Sequence, residues 1–382
     1  LLSFTIIIDH NFYQIEFKKR SNRGGIVIDG FTIVVDIGKT NAKCSLWDDR
    51  GHQIARHVRA NDAGPDSPYK GLDVEGIDGF VLESLTEFAG AENVRRIITV
   101  AHGAGAALLK DGRLFAAPMD YEDDVDDTER ARYCSQRDAF ADTGSPFLPM
   151  GLNLGIQFHR LETLLGPLPE DVTIVPWAQY WAWRLCGIAA SEVSSLGSHT
   201  DLWRPLQNRY SQLADKRGWS ARMAPLRGAA ESLAPITPDI AAATGLSSDC
   251  VVHCGLHDSN AALLAARGHQ EIADHDATVL STGTWFVAMR SLAAGAKFEP
   301  DLLDEARDCL INVDVFGNAV PSARFMGGRE SELIGGVDSY ALTDSYDADA
   351  ITSRLPELVS SGACVLPTFV KGVGPFPTES GT

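Results

Sequence analysis

The period of apolar and polar positions changes several times along the chain, and each change predicts a different element. FTIVVDIG, residues 31–38, is a nearly continuous apolar run that stops at an aspartate and a glycine, so it reads as a buried strand. AKCSLWD reads as a second strand, DDRG as a turn, and the alternating QIARHVRA as a third. Three consecutive antiparallel strands are expected. GIDGFVLESLTEFAG then has helical spacing and a terminal glycine, and VRRIITVAHG is a strand running into glycine.

Residues 118–150 lose this periodicity and contain the acidic run DYEDDVDDTE, which predicts a solvated loop. Helical spacing returns in LGIQFHRLETLLG and AQYWAWRLCG, the second closed by Gly187. Trp177, Tyr180, Trp181 and Trp183 fall at helical intervals and are assigned to the core. Residues 188–248 read as loops and short helices. CVVHCGLHDSNAALLAARG then gives a strand, a glycine break and an alanine-rich helix, and ATVLSTGTWFVAMR gives strand, small polar turn and strand. RFMGGRE reads as a helix start. Strands alternating with helices predict an α/β layer architecture.

A chain of 382 residues exceeds what one core usually serves, so two domains are expected. Residues 1–30 carry the basic patch KKRSNRGG, unlike anything downstream, and read as an N-terminal extension. The first domain is placed at residues 31–248 and the second at 249–382. With 51 acidic and 33 basic residues the net charge is -18, which disfavours nucleic acid and anionic membrane surfaces and favours a small-molecule partner. Seven scattered cysteines without framework spacing fit a reducing, cytoplasmic compartment. No segment approaches the ~18 uncharged residues that span a bilayer.

Candidate chemistry lies at the strand ends. In VVDIGKTNAK, Asp36 ends a buried strand, and Gly38, Lys39, Thr40, Asn41 and Lys43 crowd backbone and side-chain donors around a turn. A metal ion carried by phosphates would compensate such an aspartate; a plain hairpin is the alternative. In STGTW, the backbone around Ser281, Thr282, Gly283 and Thr284 forms either a simple β-turn or an anion-binding concavity. Asp258 of HDSN is either a helix cap or a general base. His102 follows a strand, and Asp120 and Tyr121 begin a loop, positions from which a polar pocket could be lined. Cys250, His253, Cys254 and His257 suggest zinc by composition, but strand alternation sends the cysteines to one face and the histidines to the other.

DIGKTNAK, His102-Gly103, HDSNAA and STGTW, in this order, resemble the FGGY family of carbohydrate kinases of the actin-like ATPase superfamily. PMGLNLG, PWAQYWAWRLCG, SLGSHTDLW and GVGPFP resemble in particular its rhamnulokinase and fuculokinase-like branch. The resemblance runs from Phe31 to the end of the chain. It implies two RNase H-like domains of the actin and hexokinase type around a cleft, and transfer of the ATP γ-phosphate to a hydroxyl of a ketose or deoxyketose. It implies that Asp36 holds Mg2+ through water, that Gly38–Lys43 and Ser281–Thr284 bind phosphate, and that Asp258 is the base. His102, Asp120, Tyr121 and His257 fall near sugar-contacting positions. Family members continue through a glycine-rich adenosine motif, so the resemblance implies a second domain that is incomplete here. A non-catalytic sugar- or nucleotide-binding relative is the alternative, and a hydrolase with Asp258 as nucleophile is a third reading. Homodimers are common in the family.

Overall fold

The computed structural model describes residues 30–381 apart from 92, 274, 283, 284, 294, 297, 336–347 and 363. Residues 1–29 of the expected extension therefore lie outside the described residues. The chain divides into two compact units: one runs to Ala273 and includes Ile311–Val320, and the other comprises Asp274–Leu310 and Pro321–Thr382.

In the first unit β1 (Phe31–Ile37), β2 (Asn41–Trp47) and β3 (Gln53–Ala60) form the expected antiparallel meander. β4 (Val94–Ala101) lies parallel to β1. A three-stranded sheet of β5 (Ala106–Lys110), β6 (Arg113–Ala116) and β7 (Thr173–Pro176) follows, then the short pair β8 (Trp203–Arg204) and β9 (Arg209–Tyr210). The chain then returns to the first sheet with β10 (Ser232–Pro235), β11 (Val251–His253) and β12 (Leu256–His257), and both β11 and β12 pair in parallel with β4. This pairing corrects the expected boundary at 248/249. Residues 249–273 belong with the first unit because their strands complete its sheet.

Ile33, Val35 and Ile37 are fully buried at alternate positions of β1, and Ile97 of β4 joins them. Against them lies α1 (Val74–Phe88), whose Ile77, Val81, Leu85 and Phe88 make one apolar stripe. The helix starts earlier than its spacing suggested because Asp73 caps it, accepting the Gly76 N–H at 2.9 Å. It ends on Ala89, not on a glycine.

α2 (Asp127–Cys134) and α3 (Phe140–Thr143) interrupt the segment expected to be a solvated loop. The acidic run is only partly solvated: Asp126 caps α2, and Asp123 and Glu129 are buried on Arg160 at 2.8 and 2.9 Å. Local period could not show this, since Arg160 lies on α4 (Leu154–Leu165). α5 (Trp177–Cys186) closes on Gly187 in the left-handed conformation, as expected, and buries Trp177, Tyr180 and Trp181. Next come α6 (Val193–Leu196), α7 (Gln212–Lys216), α8 (Pro238–Thr244), α9 (Asp258–Arg267) and α10 (Gln270–Ala273).

The other unit contains β13 (Ala277–Ser281), β14 (Phe286–Ser291) and the Pro321–Phe325 part of β16 (Ala319–Phe325), while Ile311–Val313 of β15 (Cys309–Val313) is grouped with the first unit; the strand order is β13-β14-β16-β15. RFMGGRE leads into α11 (Gly327–Gly335), as its glycines suggested, and α12 (Ala348–Ser361) follows. Glu330 of α11 accepts the N–H groups of Phe369 and Val370 at 3.0 and 2.8 Å, tying the late loop to the helix. Among the described residues no helix is long and apolar enough to cross a membrane.

Candidate active site

Three parallel strands end at one level. Asp36 of β1 and Leu256 of β12 are both in register with Val100 of β4, and Ile37 and His257 with Ala101. The β1–β2 turn, His102 and Asp258 therefore emerge from the carboxyl ends of adjacent strands, where α/β sheets bind ligands. With neighbouring strands ~4.8 Å apart, the outer two ends are about 10 Å from each other.

Gly38–Asn41 make a tight turn in which Gly38 N–H donates to the Asn41 carbonyl at 3.0 Å. Asn61, a residue that no motif singled out, holds the turn from behind. Its Nδ2 donates to the carbonyls of Gly38 and Lys39 at 2.8 and 3.1 Å, and its N–H donates to that of Thr40 at 2.8 Å. With the carbonyl oxygens tied on one side, the conformation of the turn is set before any ligand arrives. Thr40 is exposed at the tip. Lys43 stands directly across the β1–β2 pair from Asp36, with Nζ 3.5 Å from Oδ2.

Lys39 makes contacts other than those its motif suggested. Its Nζ is 2.5 Å from Asp120 Oδ2 and 3.5 Å from Glu122 Oε2, and lies 5.4 Å from the centre of the Tyr121 ring. In this structure a residue predicted for phosphate is thus paired with one predicted for sugar. Tyr121 also meets His102 edge to face at 5.6 Å.

His102 is held neutral. Burial lowers its pKa from 6.5 to about 4, with Lys39 and His257 pushing the same way and Asp258 and Asp120 opposing. Its Nδ1 is buried and has no hydrogen-bond partner among the described residues. Such an atom costs free energy unless a ligand hydroxyl or water supplies the missing bond. Burial, and the carboxylates of Glu122, Asp120 and Asp258, push the Tyr121 phenol well above its usual range.

Asp258 is the first residue of α9, and His257, not Asp258, is the cap position. The helix-cap alternative therefore gives way to a carboxylate placed at the positive end of a helix. Asp258 Oδ1 accepts from Ser259 N–H at 2.5 Å and lies 3.1 Å from His257 Nε2. Burial raises its pKa, but the electrostatic interaction and hydrogen bond with His257, the electrostatic interaction with His102 and the Ser259 N–H outweigh this and hold it below 3.8. The His257 side chain is 8% exposed and that of Asp258 37%, so the carboxylate is open to a ligand while its neighbour is enclosed. Asn260 Nδ2 is 3.0 Å from His257 Nδ1. An amide donating there leaves the ring proton on Nε2, directed at Asp258. Gly103 must lack a side chain: a Cβ would stand 2.2 Å from Ser198 Oγ and 2.9 Å from His257 Nε2.

Expected strand alternation fails at Gly255, whose φ of +76° breaks the run into β11 and β12. Cys250 and Cys254 are buried free thiols, His253 bonds to the Ala230 carbonyl at 2.8 Å, and His257 is engaged as above. Among the described residues no group of three or more His, Cys, Asp or Glu could hold a metal ion. Asp36 alone fits a magnesium ion that keeps its water and is brought by phosphate, the usual mode for that ion. Ser281 ends β13 and, with Thr282, is half-buried; Gly283 and Thr284 lie outside the described residues.

The family model for the carbohydrate kinase FGGY C-terminal domain matches residues 274–382. The chain is similar to the crystal structure of a carbohydrate kinase from Novosphingobium aromaticivorans, at 48% identity over 91% of this chain and 75% of that one, with a TM-score of 0.82. The chain belongs to the FGGY family of carbohydrate kinases. Its α/β fold is also that of a ligand-bound xylulose kinase from Lactobacillus acidophilus, at 15% identity, TM-score 0.69, covering 92% of this chain and 70% of that one. It is shared too by a Plasmodium falciparum glycerol kinase with ADP, at 10% identity, TM-score 0.69, covering 91% and 70%. No curated protein matches the chain.

Proposed function

We propose that the chain is an ATP-dependent kinase that phosphorylates a hydroxyl of a ketose or deoxyketose, in the rhamnulokinase and fuculokinase-like branch, and that it works in the cytoplasm. The observation that carries the reading is Asp258: a partly open carboxylate at a strand end, kept ionised by its neighbours and level with the β1–β2 turn. In this reading Asp258 takes the proton of the attacking sugar hydroxyl. His102, neutral and with a buried nitrogen lacking a partner among the described residues, hydrogen-bonds the sugar together with Asp120, Tyr121 and His257. Gly38, Thr40, Asn41 and Lys43 serve phosphate oxygens, and Lys39 joins them once it leaves Asp120. Ser281, Thr282, Gly283 and Thr284 form the second phosphate segment. Asp36 orients the water shell of Mg2+. When bound, Mg-ATP supplies the phosphoryl group and neutralises charge that develops on its oxygens. The acidic character of the chain, with a net charge of -18, supports a neutral sugar and no nucleic-acid or membrane partner. A homodimer is the proposed assembly.

Coupled ADP release over a panel of ketopentoses, ketohexoses and 6-deoxyketohexoses tests the reading. Turnover that requires both a ketose and Mg-ATP is the expected result. A folded chain that binds a ketose without turnover would instead be a non-catalytic sugar-binding relative. ATP-independent release of acid or phosphate from an acylated or phosphorylated sugar would instead point to a hydrolase with Asp258 as nucleophile.

A further inference from the structure

Glu192 is fully buried and takes no part in the chemistry described so far. Its Oε2 accepts from Ser194 Oγ at 2.6 Å and from Ser195 N–H at 3.1 Å, while Oε1 is buried without a partner among the described residues. Burial pushes its pKa up, opposed by those hydrogen bonds and by His257. A buried carboxylate with one idle oxygen is destabilising, and capping the four-residue α6 does not require one, since a serine or asparagine would cap as well. The Ser194 hydroxyl has a single proton. Because that proton is directed at Glu192, a lone pair of Oγ is left for the His257 N–H, which donates to it at 3.3 Å.

The contact falls at the one place where it bears on the base. β12 is only Leu256–His257, entered through the left-handed Gly255 and leaving directly into α9. Gln179 holds the entry, with Nε2 3.3 and 3.1 Å from the carbonyls of Cys254 and Gly255. Ser194 holds the exit. Asn260 and Asp258 then fix the His257 ring from both nitrogens.

We propose that Glu192 and Ser194 are positioning residues: the carboxylate orients the Ser194 hydroxyl, which anchors the His257 backbone and thereby aims the Asp258 carboxylate. The inference rests on the reading of Asp258 as base, but its first test needs no substrate. Hydrogen exchange at the His257 amide is measured in the full chain for S194A, S194T, E192A and E192Q. S194A keeps the Glu192 cap on the Ser195 N–H and loses the Ser194 hydroxyl with both its bonds, to Glu192 and to His257, so a Glu192 that serves only as a cap leaves His257 exchange like wild type. The expected result is His257 exchange accelerated about tenfold or more in S194A and E192A, less in E192Q, whose amide oxygen still accepts, and restored in S194T.

With the ketose found by the panel, S194A is expected to lower kcat on the order of 10- to 100-fold with KM within about twofold, because aim and not binding is lost. Folded S194A with wild-type exchange at His257 overturns the proposal, as does faster exchange with kcat unchanged. Should S194A fail to fold, S194C replaces it, since a thiol is only a weak acceptor, with the same expected and overturning results. If the wild-type chain turns over no ketose, the kinase reading fails, and the exchange measurements alone decide whether Ser194 anchors His257.

Discussion

Lys39 Nζ lies 2.5 Å from Asp120 Oδ2, so a lysine of the β1–β2 turn is held by a carboxylate 81 residues further along the chain. Both side chains are mostly buried, at 22% and 13% exposure, so solvent screens this pair less than a surface salt bridge. A double-mutant cycle of K39M and D120N, read by urea unfolding, is expected to give a coupling of about 0.5–3 kcal/mol. Additive effects would show that the two groups do not interact in solution.

Asp258→Asn removes the proton acceptor and retains shape. Turnover is expected to fall about 10²–10⁴-fold while sugar affinity by calorimetry stays close to wild type. Wild-type turnover in this variant would remove Asp258 from the chemistry.

The buried, neutral His102 makes stability depend on pH in a defined window. Its pKa is about 4 in the folded chain and near 6.5 when unfolded, so the unfolded state binds the extra proton first. Its neutral form therefore supports the fold fully above 6.5. That contribution is lost as pH falls from 6.5 to about 4, and amounts to on the order of 3 kcal/mol. Asp258, whose pKa is depressed below 3.8, loses its contribution only at still lower pH. Urea titrations at pH 7.5 and 4.5 should show a smaller pH difference in H102Q than in wild type. Equal differences would mean that His102 is protonated in the folded chain.

Gly103→Ala places a methyl group against Ser198 Oγ and the His257 ring. The expected loss is about 1–3 kcal/mol of stability, with kcat reduced as His257 is displaced. G103A/S198A should recover part of the stability, because Ser198 supplies the 2.2 Å contact, but not kcat, because the 2.9 Å contact with His257 remains. A double variant with wild-type kcat would show that the His257 ring yields without consequence.

Asn61→Ala frees the carbonyls of Gly38 and Lys39 from their side-chain clamp and keeps the backbone bond to Thr40. An increase in KM for ATP with little change in KM for sugar is the expected signature, measured by steady-state kinetics. An unchanged KM for ATP would mean that the turn keeps its shape without Asn61.

Local sequence was enough to determine the β1–β2–β3 meander, the helix closed by Gly187, the aromatic core of α5 and the turn after Asp36. Each rests on a period or a glycine that acts within a few residues, so neighbouring side chains specify it. Motif order was also enough to indicate the family. Tertiary structure alone decided the rest. Asp123 and Glu129 sit in an acidic run that reads as solvated, yet both are buried because Arg160 reaches them from another helix. Lys39 stands in a donor-rich turn, yet Asp120 holds it. Residues 249–273 follow the first domain's loops in sequence, yet β4 draws them into its sheet. Asn61, Glu192 and Ser194 belong to no motif, and they matter only because folding brings them against the β1–β2 turn and His257. Period and turn chemistry are local free energies that the sequence carries by itself; ion pairs and hydrogen bonds between distant residues exist only once packing has removed water and fixed both partners.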